Sequence, residues 1–393
     1  MTEPASLSAL QSALADELAA KGHVTDDRWL AAFRAIPRDA FVPYFFTPHR
    51  DRPGWHIVRR PSQEWAEAVY SSDALITQLD GHDPTTADTD IEGGTVTSSS
   101  SAPSLMGVML EALNVHDGHR TLEVGTGTGY NAGLLCHRLG DSQVASVDVD
   151  AVLVERARQR LAAFDYHPHL HTGDGREGSP EWAPYDRIIA TVGITAVPRA
   201  WVDQTRDGGK ILAPFDQHGR GGLLTRLTVS DGRAEGPFLT DCGWFMGIRS
   251  TRRDAAFRAF RDVADYQGAH RTTALPVETA TDAAQDFAFF LALRTGGYDN
   301  MSFSPDDGGP TQTWLADRTD AWVCHTSSDG DNAHHVRQGG PSRLWDRIEA
   351  AHDEWRSLGE PTRDRFGLTV EPDGAHTTWL DEPNGPNTWH LEA

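Results

Sequence analysis

Residues 122–129 read Leu-Glu-Val-Gly-Thr-Gly-Thr-Gly, an apolar run with one acid that ends in three glycines at alternate positions. Glycines let a backbone approach a ligand closely, and a helix starting just beyond them offers N–H groups with no intrahelical partner. A dinucleotide pyrophosphate calls for G-x-G-x-x-G. The spacing here is G-x-G-x-G with Glu123 in front, which suits a nucleoside carrying an amino-acid tail better than a pyrophosphate. Glu123, Gly125, Thr126, Gly127 and Gly129 are the candidate binding residues of this turn. Nineteen residues after Gly129, a second apolar segment ends in Asp148, whose carboxylate can accept from both hydroxyls of a ribose. Alone, an acid at a strand end is often only a helix cap; in register with the glycine turn, it reads as part of one site.

Two more stretches join this set. In Gly173-Asp174-Gly175-Arg176, Asp174 can accept from an adenine amino group while Gly175 lets the ring lie against the backbone. The plain alternative is an Asp-Gly turn. Upstream, Thr97-Ser98-Ser99-Ser100-Ser101-Ala102-Pro103 leads into a helix starting near Ser104. Serine and proline there fit ordinary capping. The same hydroxyls and N–H groups can also hold a carboxylate at a helix start, which makes Ser99, Ser100, Ser101 and Ser104 candidate substrate contacts.

The elements that must position these residues follow from periodicity. Apolar positions at helical spacing predict helices over 7–21 and 26–36, the second stopped by Pro37. From residue 43 to about 97 the pattern weakens, and Asp80, Asp83, Asp88, Asp90 and Glu92 crowd one stretch that reads as an exposed loop. Order returns with a helix over 105–113, a strand over 120–124, a helix over 130–139, a strand over 143–148 and a helix over 151–164. Strands over 169–172, 186–191 and 209–213 complete the series. Strands alternating with helices predict an α/β fold, a mainly parallel, doubly wound sheet covered on both faces. Beyond about residue 249 the texture changes to helices over 254–266, 283–293 and 342–357, polar loops, and a hairpin turning at Pro372-Asp373-Gly374. This predicts an appended α+β domain, and the expected division is 1–95, 96–248 and 249–393.

Composition narrows the function classes. With 393 residues the chain can bury a sizeable core, and two domains are the default. At 38% hydrophobic and 23% charged it reads as a soluble globular protein, with no run long enough to cross a bilayer. The N-terminus lacks the pattern of a secretory signal, so a cytoplasmic setting is expected. Cys136, Cys242 and Cys324 are too sparse for a disulfide framework or a cysteine metal knuckle. A net charge of -22 argues against nucleic acid as a partner and is compatible with attraction of a basic peptide. His325, His334 and His335 lack a cysteine or carboxylate frame, so no metal is expected. The six tryptophans Trp314, Trp322, Trp345, Trp355, Trp379 and Trp389 read as core packing before peptide platforms.

Taken together the motifs resemble a known family. Ser101-Ala102-Pro103, the turn over 122–129, Gly173-Asp174-Gly175-Arg176, Pro184-Tyr185-Asp186-Arg187 and Asp207-Gly208-Gly209-Lys210 occur in the order seen in protein-L-isoaspartate O-methyltransferases. Ile36-Pro37-Arg38-Asp39-Ala40-Phe41-Val42-Pro43 resembles that family's N-terminal signature, and Tyr70, Asp73 and Leu75 resemble the segment before its active-site loop. The resemblance covers about residues 10 to 248. It implies a Rossmann-like fold, S-adenosylmethionine as cofactor with S-adenosylhomocysteine as product, and a peptide carboxylate as substrate. It implies Ser101 as the substrate-side catalytic serine. Glu123, Gly125, Gly127, Asp148 and Asp174 would line the cofactor site.

The chain also departs from the family pattern. The family's histidine after Ser-Ala-Pro is Ser104 here, and Gln-Thr-Ile-Ser becomes Ser98-Ser99-Ser100-Ser101. Long insertions flank residues 70–75, and the chain continues about 145 residues past the last family strand. These departures resemble the members that methylate one aspartate of a ribosomally made precursor peptide, as in lanthipeptide and graspetide maturation. There the ester closes to an aspartimide, which persists or opens to isoaspartate. The alternative is repair of isoaspartyl residues by an extended enzyme; a third reading is a catalytically silent peptide-binding module. Either methyl transfer uses a carboxylate already ionised at neutral pH, so positioning matters more than a general base.

Overall fold

The computed structural model describes residues 6–82, 84, 90–215, 222–249, 267–282, 284–304, 309–317, 319–327 and 334–391. The helix expected over 254–266, together with Asp83 and Asp88, lies outside the described residues, as does the side chain of Cys242.

Strands Thr205–Phe215, Tyr185–Ala190, Thr121–Val124, Val144–Asp148 and His169–Thr172 lie side by side in that order, all parallel. Thr121–Val124 and Tyr185–Ala190 are buried at every position, as expected for central strands with helices on both faces. Alternate residues feed two apolar cores. Ile188, Ile211 and Leu223 join one, while Ile189, Leu212 and Leu224 join the other. The second core receives helices Leu7–Ala20, Asp27–Ala35, Pro103–Leu113 and Tyr130–Leu139, whose apolar stripes supply Leu14, Trp29, Leu110 and Leu134.

The change of texture at residue 249 does not divide the sheet. Leu223–Ser230 and Arg233–Cys242 continue it antiparallel, and the C-terminal strands Phe366–Val370, His376–Leu380 and Thr388–Leu391 add to the same edge, making ten strands. The first core is shared as well. Phe238 packs edge-on against Phe289 at 5.0 Å, and Phe289 against Phe366 at 5.9 Å. His376 accepts the Val197 N–H at 2.9 Å, tying the hairpin to the loop after strand Tyr185–Ala190. Between these strands the chain builds a five-stranded antiparallel sheet, ordered Ala269–Thr273, His334–Gly339, Trp322–Thr326, Gln312–Ala316, Asp299–Phe303. Helices Asp286–Thr295 and Leu344–Ser357 carry Phe287, Phe290, Leu344 and Trp345 into the first core.

The stretch from 43 to 97, where the sequence pattern weakens, contributes a second antiparallel sheet ordered Asp90–Ile91, Trp55–Arg59, Tyr44–Pro48, Leu75–Leu79, Val96–Ser100, so part of the acidic stretch read as an exposed loop is strand. Its apolar centre is small, Phe46, Ile57 and Leu79. Short strands interrupted by turns hide a period of two that tertiary pairing rescues. Of the acids crowded there, Asp80 accepts from the Thr95 N–H at 3.0 Å and Asp90 pairs with Arg52, also at 3.0 Å. The edge strand Val96–Ser100 delivers the serine run to the start of helix Pro103–Leu113. Among the described residues, no helix is long and apolar enough to cross a membrane.

Candidate functional site

A cavity of about 340 Å³ opens where the second sheet meets the C-terminal ends of the parallel strands. That is a fitting size for a small-molecule site and the usual place for one in such a sheet. One wall is the glycine turn with the end of strand Val144–Asp148; the opposite wall is Thr97 to Ala102 with Leu105 and Met106. Glu123, Gly125, Thr126, Gly127, Asp148, Gly175, Ser99, Ser100 and Ser101 all line it. Gly129, Asp174 and Ser104 do not.

The glycine turn is held tightly. Gly125 sits at φ +101°, and a Cβ there would come within 2.7 Å of the Thr191 hydroxyl oxygen. A Cβ on Gly127, at φ +50°, would instead project toward the Ser99 carbonyl, 3.5 Å away, into the gap between the walls. The bare backbone at Gly127 therefore keeps the cleft open. Asp148 accepts from the N–H groups of Gly127 at 2.9 Å and Asp150 at 3.1 Å, which aims its carboxylate at the turn. Burial raises its pKa despite those hydrogen bonds. Spare lone pairs on both oxygens remain available to hydroxyls of a ligand.

Beneath the turn lies a buried polar chain. Glu123 accepts from Asn131 Nδ2 at 2.8 Å and from the Ser146 hydroxyl at 2.6 Å, and Ser146 is 2.7 Å from the Thr126 hydroxyl. Asn131 Oδ1 is buried in the cavity wall with no partner. An unsatisfied acceptor beside a carboxylate suits an ammonium group, so the donor set fits the amino-acid tail of S-adenosylmethionine. Burial pushes Glu123 up to about 7, opposed by the Ser146 and Asn131 hydrogen bonds. Since its ordinary value is 4.5, the folded state binds this proton more tightly than the unfolded state. The associated stability is complete below pH 4.5 and is lost as the pH rises through 7. Glu123→Gln, a neutral isostere, should flatten that decline in the ligand-free protein, by on the order of 2–3 kcal/mol above pH 7. Calorimetric melting from pH 4.5 to 8 reads this directly. Parallel curves for the two proteins would show that burial leaves the Glu123 carboxyl unshifted.

Three of the expected site residues are not among those that line the cavity. Asp174 caps the short turn Gly175–Glu177, its Oδ1 accepting from the backbone and side chain of Arg176. Gly175 does line the cavity, with its carbonyl fixed by Trp201 Nε1 at 2.8 Å. Gly129 is a packing glycine: a Cβ there would fall 2.8 Å from Ala157 Cβ. Ser104, in the first turn of helix Pro103–Leu113, lies off the cavity wall. Ser100 lines the cavity but its hydroxyl accepts from Arg38 Nε at 3.3 Å.

Two structural features of the site go beyond the residues expected from sequence, one with no local motif and one inside the signature over residues 36–43. Residues 244–249 form a strap across the cavity mouth, contributing Trp244, Phe245, Met246, Gly247, Ile248 and Arg249. The strap is pinned by Gly193, which donates to Met246 O at 2.9 Å and accepts from Ile248 N at 2.8 Å, and by Arg249, which donates to the Thr97 carbonyl at 2.8 Å. The second is Arg38, fully buried and donating to the carbonyls of Val69, Ser71, Asp73, Ser100 and Ser101. It anchors the serine loop from behind, and neighbouring Asp39 accepts from the Tyr70 hydroxyl.

His325 lies on the inner face of the C-terminal sheet, near the Leu275 carbonyl, while His335 lines an outer-face recess. Among the described residues no group of three or more His, Cys, Asp or Glu can hold a metal ion. Trp345 is core, whereas Trp314 and Trp322 flank Arg337 on the outer face.

Comparison with known proteins follows the same lines. The family model described as protein-L-isoaspartate(D-aspartate) O-methyltransferase matches residues 84–240. The protein-L-isoaspartate O-methyltransferase of Methylorubrum extorquens is 34% identical over 212 residues, 54% of this chain and 75% of that protein. That of Halorhodospira halophila is 35% identical over 214 residues, covering 54% and 79%. For the Thermotoga maritima enzyme the match is 37% over 121 residues, 30% of this chain and only 38% of the relative. A solved protein-L-isoaspartate O-methyltransferase superposes with a TM-score of 0.54 at 22% identity, over 95% of this chain and all of the other. That is a likeness of fold, and it extends well past residue 249. On the strength of the matched length and identity, the chain belongs to the protein-L-isoaspartate O-methyltransferase family, S-adenosylmethionine-dependent carboxyl methyltransferases of Rossmann-like fold.

Proposed function

We propose that this chain methylates the free carboxylate of isoaspartyl residues in peptides and proteins, with S-adenosylmethionine held by Gly125, Thr126, Gly127, Asp148 and Gly175. The observation that carries the reading is that one cavity joins this cofactor wall to the Ser99–Ser101 wall and a helix start. Bound S-adenosylmethionine supplies an electrophilic methyl group. The chain's own residues do the rest by placement. An α-carboxylate has a reference pKa of about 3.5 and is ionised at neutral pH, so no side chain need remove a proton. The Ser101 hydroxyl and the start of helix Pro103–Leu113, where Leu105 lines the cavity, hold that carboxylate, favoured by the positive end of the helix dipole. The strap over 244–249 limits water access, and orientation supplies most of the rate.

Two of the departures that suggest a dedicated aspartyl precursor have a plain place in the fold. The C-terminal region belongs to a shared fold, and Ser104, replacing the family histidine, does not touch the cavity. One observation keeps the precursor reading as the second: residues 43–97 build an extra sheet ending in the serine strand, a surface that a long peptide can contact.

Labelled methyl transfer to isomeric peptides differing only in isoaspartyl against L-aspartyl linkage separates the two. Methylation of generic isoaspartyl peptides is expected; labelling confined to one L-aspartyl precursor would overturn it. In the same assay Ser101→Ala should lower kcat/KM for the peptide by about 10- to 100-fold, the loss of one hydrogen bond to a charged group. An unchanged value would remove Ser101 from the site.

A further inference from the structure

The mouth of the cavity is chemically lopsided. One rim presents serine hydroxyls; the other presents Trp244, 55% exposed, on the strap. Of the described residues, the other exposed large apolar side chains are Leu7, Val152, Met301 and Phe303, none of which lines this cavity. An indole left in water at a ligand mouth forgoes burial that a partner can restore. The backbone on either side is tied down. Gly243 donates to the Gly222 carbonyl at 2.5 Å, and Gly193 brackets residues 246 and 248. A Cβ on Gly243 would lie 2.9 Å from the Phe245 ring, so the bend before Trp244 is close-packed.

Resting on the carboxyl-methyltransferase reading, we propose that Trp244 is a specificity residue, a platform for the side chain adjacent to the acceptor residue, and that it selects aromatic or large aliphatic neighbours. With the acceptor carboxylate at the serine rim, the next side chain of an extended peptide crosses toward the opposite rim. A cationic neighbour would also suit an indole face and the chain's net charge of -22. Arg249, on the same strap and lining the same cavity, opposes it by like-charge repulsion. An apolar ring meets no such penalty.

The test uses the full-length protein and three isoaspartyl peptides that differ only in the residue after the acceptor: phenylalanine, arginine or glycine. The phenylalanine peptide is expected to exceed the glycine peptide about tenfold in kcat/KM, mostly through KM, with the arginine peptide nearer glycine. Trp244→Ala should collapse the phenylalanine-to-glycine ratio toward one, and Trp244→Phe should restore most of it. Equal rates for all three peptides with wild-type protein would overturn the platform while leaving carboxyl methylation intact, as would an undiminished ratio in Trp244→Ala. Preference for arginine would replace the apolar neighbour with a cationic one and so also overturn the proposal. No methylation of any isoaspartyl peptide would instead overturn the underlying reading, and this proposal with it.

Discussion

Arg38→Ala is expected to cost about 3–5 kcal/mol of stability and to lower kcat/KM for the peptide by more than about 100-fold. The side chain is fully buried, and its guanidinium is shared among five carbonyl oxygens and the Ser100 hydroxyl. Burial lowers its pKa only to about 10, so it is protonated at neutral pH. Alanine would strand several buried carbonyls at once, each costing roughly 1–3 kcal/mol unless water enters. Three of those carbonyls belong to residues 69–73 and two to Ser100 and Ser101, so the loss is aimed at the serine wall. Cofactor affinity should fall far less, because the glycine turn and Asp148 are positioned by other contacts. Arg38→Lys separates charge from geometry: a lysine keeps the charge but offers three donors in place of a planar fork. It should recover part of the stability and little of the peptide kcat/KM. Thermal melting and a split between cofactor binding and peptide turnover check both. A stable, fully active Arg38→Ala protein would show that the serine loop is held by its own strand.

What could be read before folding, and what could not, divides along locality. The glycine turn is legible because positive φ and close approach restrict residue type at the position itself, as at Gly125. Asp148 is legible because strand and acid are contiguous. Arg38 stood inside a recognised motif, yet its role was invisible: all its acceptors lie between 31 and 63 residues away. The strap was missed because nothing in Trp244 to Arg249 marks it; its place comes from pairing with Gly193. Asp174 is ambiguous for a related reason, since a local cap and a ligand contact share the same Asp-Gly pattern. The sheet within residues 43–97 was lost because strands of five residues or fewer, separated by turns, leave no sustained period.

A chain ending at residue 248 is expected not to fold, which recasts the C-terminal region as part of the catalytic body. Strand Phe366–Val370 pairs with Arg233–Cys242 from Ala234↔Val370 to Pro237↔Gly367. Truncation turns that inner strand into a long bare edge, a template for aggregation. It also uncovers one side of the first core, where Trp201, Leu227, Val229 and Phe238 are now at most 1% exposed. Exposing a handful of such side chains costs about 1.5–3 kcal/mol each, which rivals the roughly 5–15 kcal/mol that holds a whole domain together. The lost His376–Val197 bond frees the loop that reaches Gly193, and Gly193 pins the strap over the cavity. Expression of residues 1–248 should therefore give insoluble protein, or soluble protein without a cooperative melt. Co-expression with residues 249–393 as a separate chain should restore a melt and cofactor binding if the shared sheet is the cause. A soluble 1–248 fragment that melts cooperatively and methylates peptides would show that the ten-stranded sheet tolerates division where the texture of the sequence changes. The C-terminal region would then be an accessory to a core able to stand without it.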